Sequence, residues 1–203
     1  MPRRDSHRLV MAAVASLLLV VTFAAAPAQA QLRPAAPTAV SALKPKPGWV
    51  HWVGRYYSCW IPNRKWQVVE SQAGITISSP TGDTYVDFGW SSWMQPVTPQ
   101  YVIDMAFGNM LHPLISYQVT ADSGVQAIPQ GQREIVDWTG VWNHQLKGSQ
   151  KARGYIIADA MDYGGSYGFS GYVVAGAAST WKKNAVTLET IRQNIVFMGN
   201  GSR

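Results

Sequence analysis

Cysteine is almost missing from this 203-residue chain: Cys59 is the only one. No internal disulfide can form, so the core has to hold by packing alone. Charge is sparse as well, with Lys, Arg, Asp and Glu at 14% of residues. Basic residues past the first thirty are scattered, with pairs such as Lys182-Lys183 but no longer run. That pattern excludes the basic stripe of a nucleic-acid binder and the polybasic patch of a membrane-surface protein. No H-E-x-x-H or H-x-x-x-H pair joins the four histidines, and Cys59 lies in no C-x-x-C, so His51, His112 and His144 read as surface or capping residues and no metal site is expected. Neither a G-x-x-x-x-G-K-[ST] loop nor a G-x-G-x-x-G between strand and helix is present, and no cofactor is expected.

A secretory leader is the clearest feature present. Arg3, Arg4 and Arg8 precede the apolar run Leu9 to Ala26, which ends in Ala28-Gln29-Ala30. Charged head, apolar middle and small-residue cleavage site are the parts of a signal peptide. The run is short for a span of about 20 residues and has no basic stop-transfer flank, so cleavage after Ala30 is expected, with no stable membrane insertion afterwards. Residues 31–48 repeat Pro and Ala without helical or strand period and read as a tether, residues 49–198 as a single α+β domain, and 199–203 as a tail. Loss of Arg3, Arg4, Arg8 and Asp5 with the leader takes the formal charge from +6 to +4. The expected location is secreted or periplasmic.

Aromatic side chains are abundant: nine Trp, nine Tyr and five Phe, with Trp49, Trp52, Trp60, Trp66, Trp90 and Trp93 within one stretch. Indoles are mostly buried, yet their N–H needs a partner, so some are expected at sheet edges or on the surface. Cys59, flanked by Tyr56, Tyr57, Trp60 and Ile61, reads as a small buried hydrophobe.

Tyr56 to Ile61 and Trp66 to Ser71 read as strands, and Gly74 to Ser78 with Thr84 to Trp90 as a hairpin across the turn residues Ser79-Pro80-Thr81-Gly82-Asp83. Thr98 followed by Pro99 starts a helix that Val102, Ile103, Ala106, Met110 and Leu111 continue until Pro113. Strands are expected at Leu114 to Thr120, Glu134 to Thr139, Gly154 to Met161 and Phe169 to Ala177. A last helix follows, with Trp181, Ala185, Leu188, Ile191 and Ile195 on one face. This order predicts an α+β fold with a mostly antiparallel sheet packed with helices.

The stretch from Tyr56 through Ile61-Pro62 to Trp66-Gln-Val-Val-Glu resembles the opening of PsbP-like domains, and the ending from Trp181 through Ile195 to Phe197 is similar to that family's last helix. The resemblance covers the element order of residues 49 to 198. It implies an α-β-α sandwich used as a binding scaffold in extracytoplasmic or organellar compartments, and it assigns no site residues.

Three constellations invite chemistry. Gly164-Gly165-Ser166-Tyr167-Gly168 matches G-x-S-x-G, but a nucleophile elbow needs a helix directly after the serine, and Phe169 to Val174 is strand-like. Asp159 and Asp162 before Gly164-Gly165 read as a hairpin turn rather than a calcium loop. Glu134 with Asp137, or Asp83 with Asp87, are candidate carboxylate pairs, although Asp83, Tyr85 and Asp87 fit a polar outward strand face. The functional expectation is a secreted, non-enzymatic binding or accessory domain acting on a protein or cell-envelope component, with Trp90 and Trp93 as its binding residues. The alternatives are a small secreted hydrolase using Ser166 or a carboxylate pair, and a carbohydrate-binding module using exposed Trp.

Overall fold

The structure, a computed structural model, describes residues 44–199. The expected leader, residues 31–43 of the tether and residues 200–203 lie outside the described residues. In chain order the elements are β1 (Val50–Val53), β2 (Tyr57–Ile61), β3 (Gln67–Ser71), β4 (Gly74–Ser78), β5 (Thr84–Trp93), α1 (Pro99–Gly108), β6 (Leu114–Asp122), β7 (Gln126–Ile128), β8 (Gly131–His144), β9 (Gly148–Asp162), β10 (Tyr167–Ala177), α2 (Trp181–Gln193) and β11 (Val196–Phe197). Eight strands form one sheet in the order β3-β4-β5-β10-β9-β8-β6, with β7 paired to β8 beside that path. A second sheet has the order β1-β2-β11. The strand pairings in both are antiparallel.

Strand alternation splits the large sheet into two apolar faces. One carries Tyr85, Val136, Trp138, Trp142, Ile156, Phe169 and Val173 and is covered by Val102, Ile103 and Phe107 of α1. The other carries Ile75, Ile77, Val86, Phe88 and Val174 and is covered by Leu188 and Ile191 of α2 together with Tyr57, Cys59 and Ile61 of the small sheet. The expected sandwich is therefore corrected in one layer: opposite α1 lies a helix sharing its layer with a three-stranded sheet, and the fold is richer in strand than foreseen.

Two helix boundaries are also corrected. Thr98 caps α1 as expected, accepting the Tyr101 N–H at 3.3 Å, but α1 ends at Gly108 with Asn109 as its cap, before Met110 and Leu111. Ile195 likewise lies beyond α2, which stops at Gln193. Both Met110 and Ile195 are buried, so tertiary packing rather than helical period explains their apolar character.

Two carboxylates fasten the outer layer to the large sheet. Glu70 on β3 accepts the backbone N–H groups of Arg55 at 2.5 Å and of Tyr56 and Tyr57 at 3.1 Å, which ties the β1–β2 turn down. Glu189 on α2 accepts Arg192 Nε at 2.9 Å and Nη2 at 2.5 Å and also accepts the hydroxyl of Tyr155 from β9. Arg192 in turn lies over the Tyr172 ring of β10, 5.5 Å from its centroid.

Candidate functional site

β5 ends at Trp93, and Met94 to Val97 carries the chain over the sheet edge to the Thr98 cap. Because Tyr101 is the third helical residue, its ring leans back over the strand end. Tyr101 lies 5.3 Å from Trp93, and both rings stand on Phe169 of β10, at 6.2 and 6.1 Å. Phe169 is buried, whereas Trp93 is 43% and Tyr101 37% exposed, with Met94 beside them at 85%. This is an exposed aromatic surface held on a strand end and a helix start.

Carboxylates sit one helical turn away. Asp104 follows Tyr101 by three residues, a same-face spacing, and its charge reaches Glu134 on β8. Glu134 is buried on the α1 side. Burial, the charge of Asp122, a hydrogen bond to Asp122 and the charge of Asp104 together push its carboxyl above the ordinary range. The candidate pair Glu134 with Asp137 is not formed, because an odd spacing on one strand puts them on opposite faces and Asp137 is exposed. Asp87 is not on a solvated face either. Its neighbour Tyr85 is fully buried, and Asp87 accepts the Thr76 hydroxyl at 2.5 Å while burial raises its carboxyl.

Trp90 and Trp93 are not brought together. Trp93 faces α1, whereas Trp90 faces the small sheet, where its indole N–H is shared between Tyr57 Oη at 3.0 Å and the Gln72 carbonyl at 3.1 Å and its ring meets Phe197 edge-on at 5.8 Å. Trp90 thus holds the two layers together, and Tyr101 is the partner of Trp93. Sequence signals for Tyr101 existed only in its helical phase next to the Thr98 cap.

Ser166 belongs to the β9–β10 hairpin. Its carbonyl accepts the Tyr163 N–H at 2.9 Å, and Gly164 and Gly165 supply the positive φ values of 75° and 119° that the turn requires. β9 runs from the His144 end to the Ser166 end, a separation on the order of 45 Å for a strand of this length. A Ser166 nucleophile activated by His144 is excluded, and so is one activated by His112, whose ring lies 4.4 Å from that of His144.

Those two histidines correct the surface reading: His112 is 4% and His144 2% exposed. His112 Nε2 lies 2.8 Å from the Gly82 carbonyl, and His144 Nε2 3.1 Å from the Thr81 carbonyl. His51, by contrast, is exposed and stacks on Trp60 at 4.8 Å. Among the described residues no group of three His, Cys, Asp or Glu side chains has the geometry to hold a metal ion.

Cys59 is fully buried, and burial, with a smaller contribution from the charge of Glu70, pushes its thiol up to about 12. Native protein is therefore expected to resist a thiol alkylating reagent at pH 8 and to react fully once unfolded, which mass spectrometry reads directly. Rapid labelling of the native chain would contradict this packing.

No family model matches the chain, and no curated protein matches it. Among solved structures it is similar to the solution structure of cyanobacterial PsbP (CyanoP) from Synechocystis sp. PCC 6803. The TM-score is 0.42 at 8% identity, over 73% of this chain and 92% of that one. It is also similar to the crystal structure of LpqN, involved in cell envelope biogenesis of Mycobacterium tuberculosis, with a TM-score of 0.44 at 12% identity over 70% of this chain and 82% of that one. The first of these bears the name of the family that the sequence resembles; both likenesses are of low score and low identity and concern fold alone.

Proposed function

We propose that this chain is an extracytoplasmic, non-enzymatic binding or accessory domain acting on a protein or cell-envelope component. Its contact surface is centred on Trp93 and Tyr101. The observation that carries this reading is the exposed pair of rings standing on Phe169 at the rigid end of β5 and β10. The leader sequence supports the location, and the separation of Ser166 from the buried histidines supports a non-catalytic role. A sugar platform is less well supported, because the Trp93 and Tyr101 rings are tilted 54° to each other rather than coplanar.

The test is a titration of the 15N-labelled domain with fractionated envelope proteins and, separately, envelope polysaccharide, following indole N–H resonances. Binding of an envelope protein is expected to shift Trp93 and leave Trp90 in place, and Trp93→Ala is expected to weaken it at least about tenfold, as for an interface anchor. A bound component that leaves Trp93 unmoved would remove this surface from consideration. Binding of polysaccharide alone would favour the carbohydrate reading.

A further inference from the structure

At the end of the sheet where β8 turns into β9, two buried imidazoles hold down the β4–β5 turn, and their hydrogen bonds fix their protonation. A carbonyl accepts only, so the Nε2 of each ring must carry its proton: His112 Nε2–H donates to Gly82 and His144 Nε2–H to Thr81. His144 Nδ1 lies 3.1 Å from the Leu146 N–H, which donates, so Nδ1 must be unprotonated. His112 Nδ1 has no hydrogen-bond partner among the described residues. Both rings are thus neutral in this arrangement, His144 joining the β8–β9 hairpin to the β4–β5 turn and His112 joining the α1–β6 connection to the same turn.

We propose that His112 and His144 form an acid-sensitive latch that fastens the Ser79–Asp83 turn to the α1–β6 connection and to the β8–β9 hairpin and releases it on mild acidification. A proton added to His144 must go to Nδ1, where it would confront the Leu146 N–H and break that bond. One added to His112 would sit on Nδ1 with no acceptor, 4.4 Å ring to ring from its neighbour. The charged and titratable groups facing the pair are Asp83 from the turn, Tyr85 from β5 and Lys147 from the hairpin. Asp83 Oδ1 is 3.4 Å from His144 Nε2, but the same carboxylate already holds Lys147, so one added charge has partial compensation and a second has none.

Burial, opposed by the Gly82 carbonyl and reinforced by His144, holds the His112 ring below its ordinary value of 6.5. The unfolded or opened form therefore binds the proton more readily than the latched form. The part of the latch that His112 supplies is whole above about pH 6.5 and is lost as the pH falls below it. Glu189, whose carboxyl is lowered to about 2, keeps α2 fastened across that interval, so the change is local to the histidine end.

The experiment is hydrogen exchange on the full-length secreted protein at pH 7.5, 6.0 and 5.0, corrected for intrinsic rates and read at Leu146, Lys147 and Gly82. Protection of Leu146 is expected to fall at least tenfold from pH 7.5 to 5.0, while amides in the centre of β9 and β10 stay protected. A double variant, His112→Gln with His144→Asn, supplies a donor at the Gly82 carbonyl and an acceptor at the Leu146 N–H without a titrating ring, and its protection is expected to be the same at all three values. Unchanged protection in the natural protein would overturn the latch. So would an equal acid loss in the double variant, and the measurement on the natural protein decides alone if that variant does not fold.

Discussion

Trp138→Ala is expected to lower the unfolding free energy by about 3–5 kcal/mol, the range for emptying an aromatic site in a packed core. Trp138 is 1% exposed at the centre of the α1 side of the sheet. Its ring meets Phe107 edge-on at 6.1 Å, and it lies against Gly154, its partner across β8 and β9. A Cβ placed on Gly154 would come within 3.1 Å of the Trp138 ring and would also collide with the Val174 carbonyl. The glycine exists to let the indole lie flat on the strands, and a backbone held on both sides by β8 and β10 cannot collapse into the space left by alanine. One term works the other way: Trp138 Nε1 has no hydrogen-bond partner among the described residues, so truncation also removes a buried unpaired donor, worth about 1–3 kcal/mol. The lower half of the range is therefore expected. Urea denaturation with an unchanged m-value checks it. A loss below about 1 kcal/mol would mean that α1 settles onto the sheet without the ring.

Glu189→Ala is the second large effect, expected to cost about 2 kcal/mol. Breaking a buried ion pair from one side leaves the other charge unpaired. Arg192 would keep its place over Tyr172 with 14% of its side chain exposed. Glu189 is 29% exposed, so water screens part of the loss and the full buried-pair figure does not apply. Tyr155, whose hydroxyl donates to Glu189, loses its acceptor at the same time. Burial opposes the charge of Glu189, but Arg192 and Tyr155 outweigh it and bring the carboxyl to about 2 from an ordinary 4.5. The folded form thus releases this proton more readily than the unfolded chain. Its contribution is whole above about pH 4.5 and disappears as the pH falls toward 2. Natural protein should show a steep acid loss of stability in that interval, and Glu189→Ala a shallower one; parallel curves would place the acid sensitivity elsewhere.

Much of the large sheet was legible because its hairpins combine local alternation with turn chemistry. Gly74–Ser78 and Thr84–Trp93 flank a Pro-Thr-Gly-Asp turn, and both strands were visible. The long strands were seen only in part. β8 begins at Gly131 and continues to His144, and β9 extends from Gly148, because Gln132, Asn143, Gln150 and Lys151 interrupt the apolar signal of their outer stretches. β1 and β11 are too short to show a period. The exposure of Trp93 at the strand end was legible, whereas the contacts of Trp90 were not, since an indole N–H bonded to Tyr57 and Gln72 is a long-range fact. The histidine pair had no sequence signal: His112 and His144 lie on separate elements and meet only when β6 pairs with β8.

The three-stranded sheet has a further consequence for how the chain is assembled. Its central strand, β2, comes near the start of the described residues, and one of its two neighbours, β11, comes at the end: Val196 pairs with Ser58 and Phe197 with Tyr57. Nearly the whole intervening chain, including both helices and the large sheet, has to be placed before that pairing can form. Contacts of such long separation carry the largest loop-closure cost. A chain that folds from its N-terminal side would leave the edge of β2 unpaired until Val196 and Phe197 arrive, with Tyr57 uncovered on the side that Phe197 later closes. Phe197 and Val196 act as a clasp that closes the small sheet late, and until it closes the β2 edge is an unpaired strand open to capture by a chaperone or protease.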